Sequence, residues 1–149
     1  MKIVNVTRYP TAVKLLLSVL IATCVCTVAA NAQPIFVGKF TLAHEVHWGQ
    51  DVVPAGEYSI RMDSVAGPAK IMSASGDWAV YTQSPMIADS EKGGTYLTVT
   101  TEGNERRVRS LNLPELGKSM IFAPLTKSER EEIAKGGQIN TVPVIAAKN

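Results

Sequence analysis

The sequence predicts an all-β fold: an antiparallel β-sandwich or small barrel of about seven or eight strands with one short C-terminal helix. Short segments of alternating apolar and polar residues recur at spacings of roughly 8–14 residues. Turn-forming Gly, Pro, Asn and Asp residues separate these segments. Neither strand–helix alternation nor a fixed internal repeat is present, so a parallel sheet or a solenoid is not indicated.

The first alternating segment covers residues 36–48, with its large apolar side chains at even-numbered positions. This segment is long for one strand, so we expect a bend or bulge near Ala43. Pro54-Ala55-Gly56 predicts a turn, because Pro presets φ and Gly accepts positive φ. Alternation resumes at residues 58–62, which predicts a second strand.

The middle of the chain contains two predicted hairpins. The first joins residues 70–74 to 78–83, and residues 84–94 then form the longest predicted loop. The second hairpin joins residues 95–101 to 105–113 around Glu102-Gly103-Asn104.

In the second strand of that later hairpin the apolar parity changes between Val108 and Leu111. This change predicts a bulge near Arg109 or Ser110. A further strand is predicted at residues 119–123.

One helix is predicted over residues 126–135. Thr126-Lys127-Ser128-Glu129 has the pattern of a capping box, and Gly136 is placed to end the helix. The helix is too short to be stable alone and has a small apolar face, so we expect it on the rim of the β domain. Residues 141–146 predict an edge strand, because Pro143 is tolerated only there.

Residues 1–32 have the pattern of a secretory signal peptide. Lys2, Arg8 and Lys14 precede an apolar run, and Ala30-Asn31-Ala32 follows as a small-residue cleavage site. We therefore expect a secreted or periplasmic protein with a single β-sandwich domain at residues 33–149 and no membrane span after cleavage. Ile21-Ala22-Thr23-Cys24 weakly resembles a lipobox, which leaves a lipid-anchored envelope component through Cys24 as an alternative.

Cleavage after Ala32 would leave 117 residues with 12 basic and 13 acidic side chains, a net charge of −1. This charge excludes a basic nucleic-acid binder. Both cysteines lie in the leader, so the mature domain would have no disulfide and no thiolate chemistry. Its length suffices for one independently stable core.

His44-Glu45-Val46-His47 is the one cluster of metal-ligand residue types. Strand alternation would put His44 on the face opposite Glu45 and His47, so these side chains do not converge as a zinc site requires. We expect a partly buried His44 on the apolar face and no metal. A metal-dependent enzyme that uses His44 and His47 is the alternative.

Motifs for other catalytic chemistry are absent from the sequence. There is no G-x-S-x-G elbow, no dinucleotide fingerprint and no phosphate-binding P-loop. We therefore predict no catalytic residue and no cofactor.

Two kinds of residue are candidates for ligand binding. Arg107 and Arg109 belong to a basic stripe that begins at Arg106, and Arg suits a carboxylate, phosphate or sulfated sugar. The alternative is a charged strand that resists edge pairing, with Glu102 and Glu105 as ion-pair partners. Tyr81 and Tyr96 are candidates for an exposed platform on which a sugar ring stacks.

Three segments carry a resemblance to a known family. Phe40-Thr41-Leu42, Val46-His47-Trp48-Gly49 and Val53-Pro54-Ala55-Gly56-Glu57-Tyr58 resemble small, uncharacterised secreted bacterial proteins with an F-x-L…V-x-W-G strand followed by L-P-A-G-x-Y. The P-x-G-x-Y turn is also similar to that of transthyretin-like and immunoglobulin-like modules. The resemblance implies an all-β fold and transfers no catalytic residue.

Together these features predict a non-enzymatic binding or structural module of the periplasm or cell exterior. The expected partner is an envelope protein or an anionic or carbohydrate ligand.

Overall fold

The computed structural model describes residues 33–147, which contain twelve β-strands and one α-helix. The elements, in chain order, are β1 Phe36–Leu42, β2 Val46–Trp48, β3 Asp51–Val53, β4 Gly56–Met62, β5 Lys70–Ser73, β6 Ala79–Tyr81, β7 Met86–Asp89, β8 Tyr96–Glu102, β9 Glu105–Leu113, a 3-10 helix Pro114–Leu116, β10 Lys118–Ile121, α1 Lys127–Ala134, β11 Gln138–Pro143 and β12 Ile145–Ala146. The predicted leader and Cys24 lie outside the described residues.

The strands form two sheets, as the sandwich prediction requires. The five-stranded sheet has the order β12-β1-β4-β5-β6. The seven-stranded sheet has the order β11-β8-β9-β10-β7, with β2 parallel to β9 and β3 paired with β2. The predicted all-β sandwich class is therefore confirmed.

The chain joins the edges of the two sheets at both sides. Residues 82–85 connect β6 to β7, and Val144 alone connects β11 to β12. The backbone N–H of Val144 donates to the carbonyl of Thr95 at 3.0 Å. The last predicted strand is thus split into two edge strands of different sheets, and Pro143 ends the first one.

The core lies between the sheets and is aliphatic at its centre. Ile60, Met62 and Ile71 from one sheet and Leu97, Leu111 and Met120 from the other are fully buried. An aromatic group adjoins them: the rings of Phe40 and Tyr58 are stacked 5.7 Å apart, and Phe122 meets Trp48 edge-on at 5.2 Å. Burial of this apolar surface supplies the main stabilisation of a chain segment that has no disulfide.

Several local predictions are confirmed. The first segment breaks after Leu42, both hairpins form, and α1 begins with a complete capping box at Thr126. The predicted bulge is also present: Thr98 pairs with Ser110 but Val99 pairs with Val108, so no residue of β8 lies opposite Arg109 in the strand register.

Three predictions are wrong in detail. Residues 33–147 contain twelve strands rather than seven or eight, because long segments break and short edge strands such as β3 and β12 are added. The predicted loop at residues 84–94 contains β7, which is held by pairing with β10. His44 is exposed rather than partly buried, because it lies in the break between β1 and β2 where strand alternation stops.

Within residues 33–147 no helix has the length and apolar character needed to cross a membrane.

Candidate functional site

A cleft of about 380 Å³ opens at the end of the sandwich where β1 ends and β8 turns into β9. We refer to it as the Arg106 cleft. It is lined by residues of β1, the β1–β2 connection, β2, β8, β9 and β11: Leu42, Ala43, His44, Val46, Val99, Thr101, Arg106, Gln138, Asn140, Thr141 and Val142.

Strand register places Arg106 on the core side of its sheet. Arg106 pairs with Thr101, which pairs with Gln138, so these three side chains form a row across β9, β8 and β11. One row deeper, Val108 pairs with Val99, and both are buried. Because alternate residues of a strand share a face, Arg106 lies on the same side of the sheet as Val108.

The floor of the Arg106 cleft is aliphatic and its rim is polar. Leu42, Val46 and Val99 are buried at the bottom, and Val142 is half-buried beside them. The rim carries the amides of Gln138 and Asn140, and the Asn140 Nδ2 donates to Thr101 Oγ1 at 3.4 Å. Among the described residues 33–147, no Phe, Tyr or Trp lines the cleft.

The charge of the Arg106 cleft is positive. Within residues 33–147, its lining contains Arg106 and no Asp or Glu. Across residues 33–147, no carboxylate lies within ion-pair distance of Arg106. A guanidinium stays protonated and presents a planar set of donors that matches a carboxylate or phosphate. The cleft therefore offers an uncompensated cation to an anion.

The predicted residue Arg107 has a different environment. It is the neighbour of Arg106 on β9, so it lies on the opposite face, where its side chain is 43% exposed. Its Nη2 is 3.7 Å from Glu105 Oε2, the carboxylate that the sequence offered as a partner. This exposed ion pair contributes little stability.

The predicted residue Arg109 is buried and links the seven-stranded sheet to α1. It occupies the bulge of β9, where its Nε donates to Thr100 Oγ1 at 2.8 Å and its Nη2 forms an ion pair with Glu129 of α1. The Glu129 carboxylate also accepts from the backbone N–H of Thr126 at 2.7 Å. That backbone hydrogen bond and the Arg109 hydrogen bond lower the pKa of Glu129 to about 2.

The predicted aromatic residues lie on different sheets. Tyr81 is 63% exposed on the edge strand β6, with the Lys70 ammonium 5.8 Å from its ring centroid. Tyr96 is half-buried at the start of β8 and donates its hydroxyl to Glu91 at 2.7 Å. This hydrogen bond to a carboxylate raises the pKa of Tyr96.

The structure does not bring the four predicted ligand-binding residues together. Tyr81 belongs to the five-stranded sheet and the other three to the seven-stranded sheet. Arg107 pairs with Thr100, four residues from Tyr96, a separation of about 13 Å along the strand. Their role in ligand binding stays a prediction.

The two histidines lie in different environments. His44 is exposed at the rim of the Arg106 cleft, whereas His47 is half-buried and pairs with Arg107 on the other face of the sheet. In the part of the chain that the structure describes, no three His, Cys, Asp or Glu side chains are grouped to hold a metal ion.

The sequence interpretation included Arg106 in the basic stripe but did not select it as a site residue. A usable signal existed: Arg106 has the same parity as the apolar Val108, so alternation alone places it on the core face. An arginine at such a position needs either a buried partner or an open cleft.

No protein-family model, no curated protein and no solved structure matches this chain. The resemblance to small secreted bacterial proteins stays a prediction.

Proposed function

We propose that this protein is an exported, non-enzymatic binding module of the periplasm or cell exterior that holds an anionic ligand in the Arg106 cleft. One observation carries the proposal: Arg106 faces a cleft in which no described residue supplies a carboxylate to neutralise it. Export is supported by the leader pattern of residues 1–32.

The chemistry of the cleft favours binding over catalysis. Its polar groups are a guanidinium, two amides and threonine hydroxyls, which hold and orient an anion. Within residues 33–147, the lining has no carboxylate to act as a general base, and its one imidazole, that of His44, is exposed at the rim.

The test is an NMR titration of the exported protein with acetate and, separately, with inorganic phosphate. We expect the Arg106 Nε–H and the backbone amides of Thr101 and Asn140 to shift together. Arg106→Gln should weaken binding by about tenfold or more, because a charge-assisted hydrogen bond is lost.

Arg107→Gln is the matched control. It removes the same charge one residue away on the opposite face, so it should change affinity by less than about twofold. Equal losses in the two variants would mean that only the overall charge matters. That result would overturn the proposal. So would anion-induced chemical-shift changes, in a folded protein, that occur only at residues outside the cleft.

A further inference from the structure

The lining of the Arg106 cleft also restricts the chemistry of the ligand. The cleft has one permanent cation, a closed aliphatic floor and a rim of amides, and each of these selects a different part of a bound molecule. This inference rests on the proposed function, since it takes anion binding at Arg106 as given.

The single guanidinium sets the charge of the ligand head. One Arg fork matches the two oxygens of one carboxylate, whereas a dianionic phosphate is generally held by several donors and cations. The Gln138 and Asn140 amides add neutral donors beside the fork. The recognition element is therefore matched to a monoanion.

The floor of the cleft determines the chemical nature of the rest of the ligand. The floor consists of Leu42, Val46 and Val99, which are 3–4% exposed. A polar group placed against it would lose its hydrogen bonds to water, which is costly in free energy. A sugar usually stacks on the ring of a Trp, Tyr or Phe residue, and none of these lines the cleft within residues 33–147. A volume of about 380 Å³ is near the lower limit for small-molecule sites, which favours a compact ligand.

We infer that the ligand is a monocarboxylate with a short aliphatic chain, bound with its carboxylate on Arg106 and its chain on the Leu42–Val46–Val99 floor. Val142 flanks the chain from β11. The carboxylate would be bound at the rim of the cleft and the aliphatic chain in its interior. The contributions of the two parts to the binding free energy can therefore be measured separately.

The experiment compares acetate, butanoate and hexanoate by titration of the exported protein, with hexanol and inorganic phosphate as reference probes. Each added CH₂ that reaches the floor should tighten binding by about fourfold. Hexanol, which lacks the charge, should bind more weakly than hexanoate by at least about tenfold.

A pair of isosteric variants locates the chain. Val142→Thr should weaken hexanoate binding several-fold and leave acetate binding unchanged. Val52→Thr is the control, because Val52 is 43% exposed on β3 and does not line the cleft. Val142 is half-buried and Val52 is exposed, so we expect both variants to fold.

The outcomes separate this inference from the proposed function. Affinity that is independent of chain length but sensitive to Arg106→Gln, or phosphate binding tighter than hexanoate binding, would overturn the monocarboxylate and keep the anion site. Equal affinity for hexanol and hexanoate, or no effect of Arg106→Gln, would overturn both.

Discussion

Three arginines within four residues of β9 occupy three environments. Arg106 faces the cleft, Arg107 is half-exposed on the outer face, and Arg109 is buried in the bulge. Alternation accounts for the first two. The bulge accounts for the third, because it adds one residue and lets Leu111 return to the core side. Sequence parity was sufficient to locate the bulge, but the partner of Arg109 lies 20 residues away and is not a local property.

Glu129 makes the stability of the protein depend on pH. Its pKa is about 2 in the folded protein against 4.5 as the ordinary value. A lowered pKa stabilises the fold fully above the ordinary value, and this contribution is lost as pH falls from about 4.5 towards 2. Glu129→Gln should therefore cost on the order of 2–3 kcal/mol at pH 7 and much less at pH 2.

The measurement is the urea midpoint of the parent and of Glu129→Gln between pH 2 and pH 7. Glu131→Gln is the control, since Glu131 is on the same helix but exposed. A difference between parent and Glu129→Gln that stays constant over this range would contradict the assigned pKa.

Close packing requires glycine at position 38. A Cβ at this position would lie 2.7 Å from Val144 Cγ1 and 2.9 Å from Phe36 Cζ. Gly38→Ala should therefore cost about 1–3 kcal/mol through overpacking. Gly94→Ala should leave the urea midpoint nearly unchanged, because within residues 33–147 the added Cβ would meet no atom within 4 Å beyond its chain neighbours. Equal midpoints for the two variants would show that β1 and Val144 are not in close contact.

The position of α1 in the chain can be predicted from the sequence, but the contact that holds it on the sheet cannot. The capping box set its start at Thr126, whereas its anchor is the Arg109–Glu129 ion pair, since no residue of the helix is buried. The same Glu129 completes the capping box and holds the helix on the sheet. Strand β7 was missed for a related reason: its four residues are held by pairing with β10, and Met86 and Ile87 remain exposed.

Loss of the cap should therefore be measurable in the whole fold. Thr126→Ala removes the hydroxyl that accepts the Glu129 backbone N–H at 3.3 Å, and we expect a loss of about 0.5–2 kcal/mol by urea unfolding. Lys127→Ala, one residue later and exposed, is the control. An unchanged midpoint for Thr126→Ala would mean that the first turn of α1 is frayed in solution.

For the whole molecule, the sandwich class followed from alternation, but the order of strands did not. Hairpin partners are neighbours in sequence and were predicted. The pairing of β1 with β12, and of β2 with β9 in parallel, joins segments far apart in the chain. Such pairings depend on which apolar faces meet in the folded core, and no local pattern records that choice.

The start of the folded unit coincides with the predicted cleavage site. The compact unit begins at Gln33, directly after the predicted cleavage point, and the core between the two sheets is built from residues 33–147. After expression of the full gene in a secreting host, intact mass spectrometry should show a protein that starts at Gln33. Ala32→Leu should block processing, because the site requires a small residue at this position. Retention of residues 1–32 in the parent protein, or a diacylated Cys24, would contradict cleavage after Ala32, and the second result would make the protein a lipid-anchored component of the envelope.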